Sequence, residues 1–242
     1  MRLDRVTITG ADDSTDIAEM VDLSKRYPFV EWGILVSRRH EGSPRFPSRK
    51  WMVALVEAAM PDKETELLNL STHICGAWVR EMFVGKMDWT ALPMVASVSQ
   101  RVQINTHAEE HVSTRRMMDA LEQRSEAQFI FQWDGVNDHL IYAAKACGLN
   151  VAALFDTSGG AGVLPEKWIA PADEFPCGYA GGLGPDNVLA QIAKIEAVCA
   201  KPYWIDMERR VRTEDDSALD MGAVRSVLEQ AGGLLAPRAI SA

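Results

Sequence analysis

The densest run of chemistry-bearing residues is Asp156-Thr157-Ser158-Gly159-Gly160-Ala161-Gly162, a carboxylate that closes an apolar run and opens a loop of small residues. Glycines at 159, 160 and 162 let backbone N–H groups come close to a phosphate or another anion. A second stretch, Ala180-Gly181-Gly182-Leu183-Gly184-Pro185-Asp186-Asn187, repeats the arrangement. Gly181 and Gly182 leave an apolar run there, and Pro185 suits the first turn of a helix whose N-terminus attracts anions. One such loop also fits an ordinary turn; two at successive run ends predict a phosphate seat. Asp206 closes a third run and is followed by Glu208-Arg209-Arg210. Arg209 or Arg210 suits a charge-assisted bidentate bond to phosphate, whereas an inward Glu208 would repel it.

Other run ends carry acids and bases. Asp134 follows Gln132-Trp133, and an aromatic neighbour can raise a carboxyl pKa. The same residue also suits a cap on the helix that starts near Asn137. His73 and His107, with carboxylates, would suit a transition metal, but no close-spaced pair such as HxH supports one. The sequence therefore predicts neither metal nor cofactor.

These residues need elements to hold them at run ends. Short apolar or β-branched runs at 5–9, 30–36, 66–70, 101–105, 129–133, 151–155, 177–180 and 203–207 alternate with segments of helical period at 15–26, 49–59, 114–124, 137–146, 187–200 and 218–230. Eight βα repeats in 242 residues predict a single α/β domain over 1–242, a (β/α)8 TIM barrel, a fold of roughly 250 residues. In that fold the active site lies at the C-terminal ends of the strands, where all the candidates stand. Segment 86–100 is long and weakly periodic and reads as an insertion, and the tail from Gly232 as frayed.

Composition narrows the partners. A net charge of −9 and no Lys/Arg stripe argue against nucleic acid. No apolar run approaches the roughly 20 residues that span a bilayer, and the N-terminus has no signal-peptide core, so the sequence predicts a cytoplasmic protein without a membrane partner. Cys75, Cys147, Cys177 and Cys199 lack CxxC spacing and read as reduced, buried and inert thiols. Oligomeric state is left open.

With these motifs in order, the chain resembles phosphoribosylanthranilate isomerase of tryptophan biosynthesis. Asp156 with Gly159-Gly160-Ala161-Gly162 is similar to that family's sixth-strand aspartate and phosphate loop, and Trp168 stands near its following aromatic. Ala180-Gly181-Gly182-Leu183 resembles its seventh-strand segment, Ile205-Asp206 its eighth-strand Val-Asp, and Ser43-Pro44-Arg45-Phe46 its Ser-Pro-Arg-aromatic loop. The resemblance implies a phosphorylated sugar-type substrate isomerised by acid–base chemistry, with Asp156 as general acid and Arg45 on a substrate carboxylate. It departs at Thr9, which stands where the family has its cysteine base. A threonine hydroxyl is a far weaker base than a thiolate, so Thr9 becomes a contact and the base is left to Asp134 or His107. The family's eighth-strand Ser-Gly is also replaced, by Glu208-Arg209. Two alternatives remain: a phosphate-binding barrel without isomerase activity, and a metal-assisted lyase or hydrolase using the His and carboxylate ring.

Overall fold

The computed structural model describes residues 2–62, 64–106, 113–172 and 174–235. Eight parallel strands, β1 (Leu3–Thr9), β2 (Val30–Val36), β3 (Asn69–Cys75), β4 (Arg101–Asn105), β5 (Gln128–Trp133), β6 (Asn150–Phe155), β7 (Cys177–Ala180) and β8 (Tyr203–Met207), close on themselves in chain order. The outer ring holds α1 (Ile17–Arg26), α2 (Arg49–Ala59), α3 (Ala77–Val84), α5 (Thr114–Glu122), α6 (Asp138–Ala146), α7 (Val188–Val198) and α8 (Met221–Gly232); a short α4 (Val95–Val98) precedes β4. The (β/α)8 barrel expected from the alternation is the fold.

Local chemistry sets the helix starts. Asp16, Ser48 and Asp220 accept backbone N–H bonds from Ala18, Trp51 and Gly222 at the heads of α1, α2 and α8. Outward strand residues such as Val6, Ile8, Trp32 and Phe129 are fully buried under these helices. Inward ones alternate with them, and on β1 to β4 many are polar: Thr7, Thr9, Glu31, His73, Arg101 and Gln103.

The third strand corrects the sequence reading, which placed it at 66–70. The apolar run ends at Leu70, but the strand continues because its polar residues are satisfied: Ser71 Oγ donates to the Arg101 carbonyl at 3.3 Å, and Thr72 Oγ1 lies 2.8 Å from Ser99 Oγ. Helix α3 was not anticipated; Gly76 precedes it and supplies no side-chain cap. Segment 86–100 forms a 3-10 turn (Trp89–Ala91) and α4, burying Leu92, Val95 and Ala96. It joins α3 to the start of β4, at the barrel end remote from the strand C-termini.

The crossover from β6 to β7 has no helix among the described residues. Instead Trp168 packs edge-on against Phe155 and Tyr179 and donates Nε1–H to Gln191 at 3.0 Å, filling the place of a helix face. Helix α8 ends at Gly232, and the tail residues 236–242 lie outside the described residues.

Candidate active site

A cavity opens at the strand C-termini, lined by Thr9, His73, Gln103, Gln132, Asp156, the two glycine loops, Asp206, Glu208, Arg209 and Arg210. The run-end residues of β1, β6, β7 and β8 are thus brought together. Gln103, Gln132 and Ser158 also line it and were missed by the sequence reading. Two-residue alternation along β4 and β5 is the signal that finds the two glutamines.

The β6 loop proves to be folded onto its own carboxylate. Asp156 accepts bonds from Ser158 N at 3.0 Å, Ser158 Oγ at 2.7 Å and Gly160 N at 2.9 Å, and Gly162 N donates to Ser158 Oγ. Left-handed φ angles of 58°, 83° and 69° at Gly159, Gly160 and Gly162 permit this wrapping. Asp156 therefore organises the loop rather than presenting a free acid.

The β7 loop is different. A β-carbon on Gly182 would stand 2.6 Å from the Leu164 backbone N, so glycine is what lets the β6 loop lie against this strand end. The N–H groups of Gly182 and Leu183 have no hydrogen-bond partner among the described residues, and both residues line the cavity. Arg209 lines the same cavity with its side chain against Gly162, and its guanidinium makes neither a hydrogen bond nor an ion pair with a described residue, acting on Glu208 only through its charge. Arg210 instead bonds Asp186 at 2.6 Å. Unmet donors are therefore gathered on the β7–β8 wall.

Deeper in, Thr9 Oγ1 donates to Asp206 Oδ1 at 2.9 Å, both residues being buried. Burial pushes the Asp206 carboxyl up to about 7; Glu208, Glu31 and Asp156 add repulsion, and the Thr9 hydrogen bond opposes it. His73, only 2% exposed, lines the same space, and its Nε2 has no partner. Burial pushes its imidazole down to about 4, against the attraction of Glu31. Gly33 makes this geometry possible, because a β-carbon there would fall 2.3 Å from Thr9 Oγ1 and 2.9 Å from His73 Nε2.

Two expected roles change. Asp134 does not line the cavity: it accepts the N–H groups of Val136 and Asn137, each at 2.8 Å, and the Asn137 amide at 2.6 Å, so it builds the turn into α6. Arg45 also lies outside the lining residues; it pairs with Asp216 and, at 3.0 Å, with Glu208, which leaves its guanidinium engaged at the rim. His107 lies outside the described residues. Among the described residues, no group of three His, Cys, Asp or Glu side chains is placed to hold a metal, and no helix is long and apolar enough to cross a membrane.

Against known proteins, no family model and no curated protein matches the chain. Solved structures do. N-(5'-phosphoribosyl)anthranilate isomerase from Pyrococcus furiosus superposes with a TM-score of 0.54 at 15% identity, over 95% of this chain and 98% of that one. What they share is the fold. 3-Hexulose-6-phosphate synthase from Salmonella typhimurium gives a TM-score of 0.48 at 12% identity, over 93% of this chain and 97% of that one.

Proposed function

We propose that this barrel binds the phosphate of a sugar-type small molecule against its β7–β8 wall and acts on the rest of the molecule by acid–base isomerisation. The observation that carries the reading is that Gly182 and Leu183, whose N–H groups have no partner among the described residues, line the strand-end cavity together with Arg209, whose guanidinium is in no hydrogen bond or ion pair there and acts on Glu208 only through its charge. Backbone donors and a guanidinium together suit a phosphate oxygen set better than either does alone.

The carboxylates nearby leave room for an anion. Asp156 accepts three bonds from its own loop, Glu208 pairs with Arg45, and burial pushes Asp206 toward its neutral form. The resemblance in motif order to phosphoribosylanthranilate isomerase supports a phosphorylated sugar-type substrate. Thr9 at the family's cysteine position speaks for a reaction whose base stands elsewhere.

The test is thermal denaturation with inorganic phosphate and with ribose 5-phosphate, alongside turnover of phosphoribosylanthranilate. A ligand held by the native state raises the melting temperature with concentration. Protection by ribose 5-phosphate that is lost in Arg209→Ala supports the reading; no protection at millimolar concentrations of either compound overturns it. Turnover that appears only in Thr9→Cys would mark a chain diverged from the isomerase reaction.

A further inference from the structure

We propose that Asp206 is the proton-accepting group of this cavity and His73 its neutral hydrogen-bond donor, with Thr9 positioning the carboxylate between them and the substrate. The proposal rests on the phosphate-binding reading above. It fills the position left open by the missing first-strand base: β1 and β8 are paired, so the acceptor stands one strand over, hydrogen-bonded by the threonine that replaces the cysteine.

Geometry carries the pairing. Thr9 Oγ1 engages one oxygen of Asp206 and leaves Oδ2 without a partner among the described residues. His73 Nε2 is a buried polar atom with no partner, a state that native interiors rarely leave unexplained, and it borders the cavity. Both Thr9 Oγ1 and His73 Nε2 lie within 3 Å of the point that a Gly33 β-carbon would occupy, at 2.3 and 2.9 Å, so they stand at most 5.2 Å apart. The crowding over Gly33 leaves no room for a ligand atom at that point, so a small ligand would meet Thr9, Asp206 and His73 from the strand-end cavity that all three line, together with Gln103 and Gln132.

The protonation states agree with these roles. A carboxyl that titrates at about 7 is a competent base near neutral pH, and an imidazole that titrates at about 4 stays neutral there and can give its N–H to an oxyanion. A carboxylate base paired with a neutral histidine electrophile is a known division of labour in proton transfer next to a carbonyl.

On a phosphorylated 2-hydroxyaldehyde the step balances without a co-reactant. Asp206 takes the proton from C2, the C–H electrons form the C1–C2 double bond, and the carbonyl electrons settle on O1, held by the His73 N–H. The proton of the C2 hydroxyl passes to O1, and Asp206 returns its proton to C1, which leaves a carbonyl at C2. C1 is reduced and C2 oxidised within one molecule.

The experiment follows wash-in of solvent deuterium at C2 of ribose 5-phosphate by proton NMR, with binding monitored separately by thermal shift. Wild type is expected to exchange, with a rate that rises with pH and levels off above about 7. Asp206→Asn and His73→Gln, shown folded by circular dichroism, are each expected to lose about 100-fold or more, the size of a positioned acid–base group. Thr9→Val removes a bond that favours the ionised carboxyl and is expected to move the acid limb to higher pH; Glu208, Glu31 and Asp156, which also face Asp206, and Glu31 and Arg101, which face His73, are left in place. Asp134→Asn serves as the unaffected control. A probe that binds without exchange, or exchange that survives in Asp206→Asn, overturns the pair. If the probe does not bind, the phosphate reading fails and infrared difference spectra of wild type against Asp206→Asn decide the pair. A protonated carboxyl band present at pH 6 and lost through pH 7 supports it, and a carboxylate already ionised at pH 6 overturns it.

Discussion

The barrel interior contains two polar layers built on opposite rules. Toward the N-terminal ends of the strands, Glu31 receives Arg5 and Arg101, each at 2.6 Å, and Thr7 at 2.8 Å, while Arg101 also lies over the Trp204 ring at 4.3 Å. Burial alone would push the Glu31 carboxyl up, but Arg101 and Arg5 hold it below the usual range. One layer higher, the Asp206 carboxyl is pushed up, the His73 imidazole down, and His73 Nε2 is left unpartnered. Both layers are desolvated; they differ in whether the charged form has partners. A layer that satisfies itself holds the barrel, and a layer with unmet capacity is poised for a ligand.

The largest expected effect tests the closed layer. Glu31→Ala would leave two guanidiniums facing each other in a buried space, and removing one partner of a buried ion pair typically costs roughly 3–5 kcal/mol. Urea unfolding should show that loss, and thermal protection by ribose 5-phosphate in the protein that remains folded should be unchanged. A loss below 1 kcal/mol would mean that the lower layer is not the anchor.

Next come the two titrating residues of the upper layer, whose pH signatures have opposite signs. Asp206 binds its proton more tightly folded than unfolded, so wild type loses stability as pH rises from about 4 to about 7. Asp206→Asn removes this slope and should gain on wild type across that window, by at most about 4 kcal/mol. His73 binds its proton less tightly when folded, so its contribution is lost as pH falls from 6.5 toward 4. His73→Gln should gain on wild type in acid, by at most about 3 kcal/mol, and little at pH 8. Denaturant melts of the three proteins from pH 4 to 8 check both; parallel curves would mean that the two layers do not differ in kind.

Much of this was legible in the sequence because alternation is a property of the chain itself. Val6 and Ile8 face the helices and Thr7 and Thr9 the interior, so the barrel and its strand ends follow from period and count. The glycine loops were legible as a place, since Gly181 and Gly182 leave β7 with left-handed backbones. What Asp156 does with its oxygens was not, because a carboxylate before a glycine loop has the same sequence whether it faces a substrate or folds the loop around itself. Asp134 shows the same ambiguity, resolved toward its own turn. His73 was visible as a residue, but the strand was cut short at Leu70, so its place in the interior beside Thr9 was hidden. That place depends on Gly33, a neighbour 40 positions away in sequence.

The smallest expected effect falls on the rim and separates binding from architecture most cleanly. The Arg209 guanidinium makes no hydrogen bond or ion pair among the described residues, so Arg209→Ala removes only side-chain packing against Gly162 and an attraction on Glu208, and should change stability by no more than about 1 kcal/mol. A guanidinium on a phosphate contributes a charge-assisted bond of roughly 1.5–3 kcal/mol when well formed, and less where solvent screens it. Affinity for inorganic phosphate and for ribose 5-phosphate should therefore fall about tenfold, by similar factors because the phosphate is common to both. Isothermal titration of each ligand into wild type and variant measures the two factors. Equal affinities in wild type and variant would move the anion off the β7–β8 wall, and a fall confined to ribose 5-phosphate would place Arg209 against the sugar instead.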